Sequence, residues 1–177
     1  MGLYGFKKRF VDYILAGEKT HTIRASRKHG DVPGKTMHLY TGLRQRGPII
    51  QKLASGKVVR EKVARLLFRA PCVRVEFIRI TEDHRVFIGA SFGGEDCKPY
   101  GEGQLVRGGF VELTPDERDL LAFRDGFRPP GVLTGVTSTG NCIPHTGAFG
   151  EMMRFWSGRL PFEGQIYHWD FDRRVTK

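Results

Sequence analysis

The segment of residues 17–24, GEKTHTIR, places a lysine, two threonines and an arginine close together in the chain. A threonine hydroxyl is a weak nucleophile until a base removes its proton. Lys19 can be that base when its amine is neutral, and burial together with the charge of Arg24 would lower its pKa toward that state. In the alternative interpretation, Lys19 and Arg24 only contact phosphate and Thr22 is an ordinary strand residue.

A helix is predicted immediately before this segment, over residues 7–16, because apolar residues such as Phe10 and Ile14 recur at four-residue spacing. Gly17 follows and is suited to end the helix in the left-handed conformation. Because glycine tolerates an irregular backbone, this junction lets Lys19 turn toward the face used by the next element.

The next element is predicted to be a short strand over residues 20–24, which are rich in β-branched residues. Successive side chains of a strand point to opposite faces. Ile23 belongs in the core. The other face, which carries Thr20, Thr22 and Arg24, is therefore expected to line a cleft.

The remainder of the chain is predicted from alternation, β-branched content and helix-capping signals. The predicted strands are residues 37–41, 65–80, 85–88 and 164–171, and the predicted helices are residues 115–124, with Thr114 as N-cap, and 149–156. In the strand 65–80, the near alternation of Val73, Val75 and Phe77 with charged residues predicts a half-exposed sheet.

Three segments are interpreted as loops. Residues 44–65 are a basic excursion between strands, and residues 89–109 and 128–147 are rich in turn-forming residues. Strands and helices mix without a regular alternation, which predicts an α+β domain around a small barrel. One domain over residues 1–177 is expected, with 44–65 and 128–147 as insertions.

Composition restricts the partners and the compartment. The formal net charge is +10, so RNA, DNA or a nucleotide is the expected partner. No apolar run is long enough for a membrane span, and no secretory signal is seen, so no membrane partner and a cytoplasmic location are expected. The three cysteines and six histidines are not spaced like the ligands of a metal ion. No metal site and no cofactor are therefore expected.

The chain resembles the ASCH family in three places. The first is the run ILAGEKTHTIR at residues 14–24, followed by the turn Pro33-Gly34 and the strand residues 39–42. The second is AFRDGF at residues 122–127, and the third is the closing strand up to Trp169. Together these matches frame most of the chain, whereas residues 44–65 and 128–147 are not covered.

The resemblance implies a PUA-like fold, a mixed β-barrel with helices beside it, and RNA-binding or nucleoside-handling function. Some small bacterial members of the family are amidohydrolases that deacylate N-acetylated cytidine, using a lysine, a threonine and an acid. By position these correspond to Lys19, Thr22 and Asp125. The family enzymes have Glu where this chain has Asp125, so the carboxylate here is one methylene shorter.

Three functions remain open from the sequence. The first is hydrolysis of a modified pyrimidine nucleoside by Lys19, Thr22 and Asp125, the second is non-catalytic reading of RNA or a modified base, and the third is cleavage of RNA. In the second, Asp125 would only end a helix. The residues expected to contact substrate or RNA are Thr20, Arg24, Tyr40, Arg44 and Trp169.

Overall fold

The computed structural model describes residues 2–25, 33–43, 45–61, 63–89, 105–106, 109–128 and 147–176. Within these ranges the strands are β1 (Gly2–Phe6), β2 (His21–Ala25), β3 (Thr36–Thr41), β4 (Ile49–Lys52), β5 (Val58–Arg60), β6 (Arg65–Ile80), β7 (Val86–Gly89), β8 (Leu105–Val106), β9 (Phe110–Glu112) and β10 (Phe162–Trp169). The α-helices are α1 (Val11–Leu15), α2 (Pro115–Arg124) and α3 (Ala148–Trp156), and a 3-10 turn, Lys8–Phe10, leads into α1.

The long strand β6 organises the main sheet. Its first half pairs antiparallel with β3, and its second half pairs antiparallel with β10 and β7. Pro71, which has no N–H to donate, lies where β6 passes from β3 to β10. The strand β1 adds parallel to β3, and β2 adds antiparallel to β10.

The described strands form a mixed sheet with helices, which confirms the α+β prediction. They do not form a closed barrel, because β1 pairs only with β3 and β2 only with β10. The two strands are therefore open edges of the sheet within the described residues. A closed ring would need them to pair with each other.

The helices follow the predicted signals. The Thr114 hydroxyl accepts a hydrogen bond from the N–H of Glu117, and the Glu117 carboxylate accepts one from the N–H of Thr114, a reciprocal cap that starts α2. Gly17 has a φ of 78° and follows α1, as expected for a left-handed helix end. The predicted helix over residues 7–16 begins with the 3-10 turn before α1.

The strand β6 is half-exposed, as predicted, but burial does not follow the run Val73, Val75 and Phe77. Val73 is 40% exposed, whereas Glu76, a charged residue of the same strand, is only 1% exposed. Glu76 tolerates burial because its Oε2 lies 2.6 Å from Nε2 of His168 on β10. Both faces of the second half of β6 are therefore covered around Glu76.

Several other boundaries differ from the sequence-based expectations. The strands β1 and β9 were not predicted, and residues 44–65, expected to be loop, contain the hairpin β4–β5. The last strand begins at Phe162 and ends at Trp169. Most of the predicted loops at 89–109 and 128–147 lie outside the described residues. No helix in the described part of the chain has the length and apolar character to cross a membrane.

Candidate functional site

A cleft of about 710 Å³ lies between the open edges β1 and β2. Six aromatic side chains line the cleft, and we call them together the aromatic wall: Phe6, Phe10, Phe127, Phe155, Trp156 and Phe162. Five ionisable side chains also line the cleft: Lys7, Lys19, Arg24, Asp125 and Arg159. Among these described residues the four cations outnumber the single acid, so the cleft suits a flat ligand with negative charge.

Lys19 enters this cleft from the junction after α1. The N–H groups of Glu18 and Lys19 both donate to the carbonyl of Tyr13, at 2.9 and 3.0 Å, and so turn the chain back at the helix end. A Cβ on Gly17 would come within 2.8 Å of the Phe171 ring, so both its φ and its surroundings favour glycine. The side chain of Lys19 is thereby buried, with 1% of the residue exposed.

Asp125 reaches the same point from the end of α2. Its N–H donates to the carbonyl of Leu121, and the next residue, Gly126, has a φ of 87°. A Cβ on Gly126 would lie 3.2 Å from Cδ of Lys19. The left-handed glycine thus both ends α2 and leaves room for the lysine stem.

Lys19 and Asp125 form a buried ion pair. The Lys19 Nζ donates to the Asp125 carboxylate and, at 2.5 Å, to the backbone carbonyl of the same residue. Two aromatic faces flank the ammonium, with Nζ 5.2 Å from the centroid of Phe10 and 5.8 Å from that of Phe6. Two hydrogen bonds and two aromatic rings therefore surround this group.

Burial shifts the pKa of both partners toward their neutral forms. Removal from water, assisted by the charges of Arg24 and Arg128, lowers the pKa of Lys19 to about 8 even though Asp125 opposes the change. Burial also raises the pKa of Asp125, while the charge of Lys19 opposes that rise. Burial therefore favours the neutral form of each group more than water does.

Thr22 and Arg24 line the cleft, as the strand alternation predicted. Thr22 is 4% exposed. The Nη2 of Arg24 donates to the carbonyl of Gly5 on β1, at 2.7 Å, and its guanidinium lies 5.2 Å from the centroid of Phe6. Arg24 therefore bridges the open edges β1 and β2 across the cleft.

The other predicted contact residues lie elsewhere. Thr20 and Tyr40 are half-buried, and neither they nor Trp169 line the cleft. Trp169 is 3% exposed and packs edge-on against Phe6, with the ring centroids 6.0 Å apart. Arg44 lies outside the described residues. Their proposed contacts with substrate stay predictions.

The sequence interpretation missed the aromatic wall and its cations. Phe127 follows Gly126 directly, and Phe155 and Trp156 end α3, close in sequence to Arg159. Aromatic side chains next to arginine and close to a candidate acid were the available signal. Only the fold shows that these distant segments meet β2.

A second buried polar group lies on the other face of β2. The ring of His21 packs against that of His168, with centroids 5.1 Å apart, and His168 contacts Glu76. His21 is fully buried, and neither of its ring nitrogens has a hydrogen-bond partner among the described residues. Burial and the neighbouring His168 hold the pKa of His21 well below its usual value, so this ring is neutral.

In the part of the chain that the structure describes, no group of three or more His, Cys, Asp or Glu side chains is arranged to hold a metal ion. Comparisons with models of known protein families, with curated proteins and with solved structures found no match to this chain. The cleft, and the resemblance of the segments that form it to the ASCH family, are therefore the features that indicate a function.

Proposed function

We propose that this chain is an ASCH-type protein with a PUA-like fold, and that it hydrolyses the amide of an N-acylated pyrimidine nucleoside. Two of the three segments that resemble the family, residues 14–24 and 122–127, supply the cleft with Lys19, Thr22 and Asp125. The curved sheet with open edges at β1 and β2 is compatible with an incomplete PUA-like barrel.

The observation that carries the proposal is the buried pair of Lys19 and Asp125 in the cleft that Thr22 also lines. A lysine with a pKa of about 8 has roughly a tenth of its amine neutral at pH 7, enough for a base that works near neutrality. An ordinary surface lysine lacks this property. The shorter side chain of Asp125, compared with the Glu of the family enzymes, still reaches the Lys19 ammonium.

The reaction can be written with these three side chains. The neutral Lys19 takes the proton of the Thr22 hydroxyl, whose oxygen bonds to the acyl carbon. That proton then passes from Lys19 through the Asp125 carboxylate to the departing nitrogen as the carbon–nitrogen bond breaks. Water then cleaves the Thr22 ester, which releases the carboxylic acid and restores the hydroxyl. Lys19 ends neutral and Asp125 ends ionised, as they began, so the net reaction consumes one water.

A non-catalytic reader of RNA or of a modified base is the second candidate. Its support is that Lys19 donates both to the carboxylate and to the backbone carbonyl of Asp125, which makes the ammonium a structural cation. In that case the cleft binds the base and leaves it unchanged. The two candidates differ only in whether Lys19 releases its proton during turnover.

The test is incubation of the protein with N4-acetylcytidine, with cytidine and acetate measured as products. We expect turnover that rises about tenfold between pH 7 and pH 9, because the neutral fraction of Lys19 grows through its pKa of about 8. Lys19→Met and Thr22→Val should each lower kcat by at least 10²-fold. Thr22→Ser keeps the hydroxyl and should retain activity.

The matched control for the lysine variant is Lys57→Met, which alters an exposed lysine between β4 and β5, outside the cleft. If the wild-type protein binds N4-acetylcytidine but leaves the acetyl group intact, the protein is a non-catalytic reader and not a hydrolase. Activity that persists in both Lys19→Met and Thr22→Val would place the chemistry elsewhere in the chain. Cleavage of an RNA oligonucleotide in the same assay would identify the ribonuclease.

A further inference from the structure

Three cationic side chains converge on one ring of the aromatic wall, that of Phe155. The Nζ of Lys7 lies 4.6 Å from the ring centroid, and the guanidinium carbons of Arg9 and Arg159 lie 4.9 and 5.7 Å from it. The three come from the turn before α1 and from the loop after α3. We call Lys7, Arg9 and Arg159 the cationic rim.

Among the described residues, no carboxylate neutralises the positive charge of the cationic rim. Within the described residues, none of the three side chains takes part in an ion pair. Glu151, which shares a small neighbouring cavity with Arg9, is paired with Arg154. The acid of the main cleft, Asp125, is paired with Lys19. Like charges held this close repel one another, so binding an anion among them is favourable.

The residues around the cationic rim indicate what kind of anion can bind there. Lys7, Arg159 and Phe155 line the same cleft as Lys19 and Thr22, so a ligand in the cleft can reach both regions. Arg9 lines the small neighbouring cavity and reaches the rim at the Phe155 ring. A cleft of about 710 Å³ lies within the range of small-molecule sites and is larger than a base and sugar need. The charged end of such a ligand belongs at the rim, and its flat end belongs near the ion pair.

We propose that the ligand of this cleft carries a phosphate that binds the cationic rim, so that it is a nucleoside phosphate and not a free nucleoside. This inference rests on the proposed function, because it assigns the other end of the same ligand. The phosphate can belong to a mononucleotide or to the 5′ end of an RNA strand, since both present a phosphomonoester. Lysine and arginine donate charge-assisted hydrogen bonds to its oxygens.

The experiment is isothermal titration with N4-acetylcytidine and with its 5′-monophosphate, at low ionic strength and pH 7. Three exposed cations each contribute modestly, so we expect the monophosphate to bind about tenfold more tightly than the nucleoside. The triple variant Lys7→Met/Arg9→Gln/Arg159→Gln should lose this preference and bind the two ligands equally. Lys8→Met, between Lys7 and Arg9 in the chain but lining neither the cleft nor the neighbouring cavity, is the matched control and should keep the preference.

The outcomes separate this inference from the proposed function. Equal affinity for nucleoside and monophosphate, or a preference that survives the triple variant, overturns the phosphate site while the nucleoside site stands. Failure of both ligands to bind overturns the proposed function as well. A short oligoribonucleotide with a 5′ phosphate, compared with the same oligonucleotide without it, shows which source of phosphate the rim prefers. A preference for the phosphorylated oligonucleotide above that for the mononucleotide identifies an RNA end.

Discussion

Replacing Lys19 by Met removes one charge of a pair that is almost completely withdrawn from water. Lys19 is 1% exposed and Asp125 is 5% exposed, so solvent cannot replace the lost ammonium. Loss of one partner from a buried ion pair costs roughly 3–5 kcal/mol of unfolding free energy, because an uncompensated charge stays buried. We expect Lys19→Met to fall in that range at pH 7. The double variant Lys19→Met/Asp125→Leu removes both charges and should recover most of the loss.

The stability lost in Lys19→Met also depends on pH, and the protonation of Asp125 sets the direction of this dependence. Burial already raises the pKa of Asp125 above that of the unfolded chain, and loss of Lys19 removes a charge that holds it down. The folded variant therefore binds a proton more readily than the unfolded chain, and it gains stability relative to wild type as the pH falls. The destabilisation should be smaller at pH 5 than at pH 7.

Urea unfolding followed by circular dichroism measures both effects. With a slope of about 2 kcal/mol per molar, typical for a small domain, the midpoint of Lys19→Met should fall by about 1.5–2.5 M at pH 7. The midpoint of the double variant should lie within about 1 M of wild type. A single variant that loses less than about 1 kcal/mol, or a double variant as unstable as the single one, would mean that water solvates the pair and would refute the reasoning.

Three further predictions concern residues around the site. Because buried His21 stays neutral while the unfolded chain takes up a proton there below a pH of about 6.5, the folded protein loses stability as the pH falls. His21→Leu should reduce the stability lost between pH 6.5 and pH 5 by about 1–2 kcal/mol. Urea midpoints that fall by the same amount in wild type and variant between the two pH values would contradict this. Gly126→Ala places a Cβ at a φ of 87° and 3.2 Å from Cδ of Lys19. It should lower the free energy of unfolding by about 1–2 kcal/mol and lower the turnover of N4-acetylcytidine. A variant with wild-type stability and rate would show that the position tolerates a side chain. Thr114→Ala removes the hydroxyl that caps α2 through Glu117 and should cost about 1 kcal/mol, or about 2–4 °C in Tm by calorimetry, with activity unchanged as the control.

Local signals made part of this structure predictable from the sequence. The end of α1 at Gly17 and the start of α2 at Thr114 depend on residues within a few positions, and both were predicted correctly. The face of β2 that carries Thr22 and Arg24 followed from alternation alone. These features need only the backbone preferences of glycine, the capping hydroxyl of threonine and the two-residue period of a strand.

Features that depend on distant partners were not predictable in the same way. Glu76 is buried beside His168, which lies 92 residues away in the chain, so the alternating pattern around Glu76 could not indicate its burial. The strand β1, with two glycines in five residues, has weak intrinsic preference and exists through its pairing with β3. Lys19 and Asp125 are 106 residues apart, and only the resemblance, not a local pattern, connected them.

The way β6 is shared among its neighbours has a consequence for how the molecule opens. Its residues pair with β3, β10 and β7 in turn, so neither half of the main sheet can detach without breaking bonds to this one strand. The hairpin β4–β5 forms its own two-stranded sheet and has no such attachment. Amide hydrogens of β6 should therefore exchange with solvent only through global unfolding, whereas those of the hairpin exchange through local opening. A peptide label inserted at the hairpin turn, at Ser55 and Gly56, should consequently leave the cleft assembled.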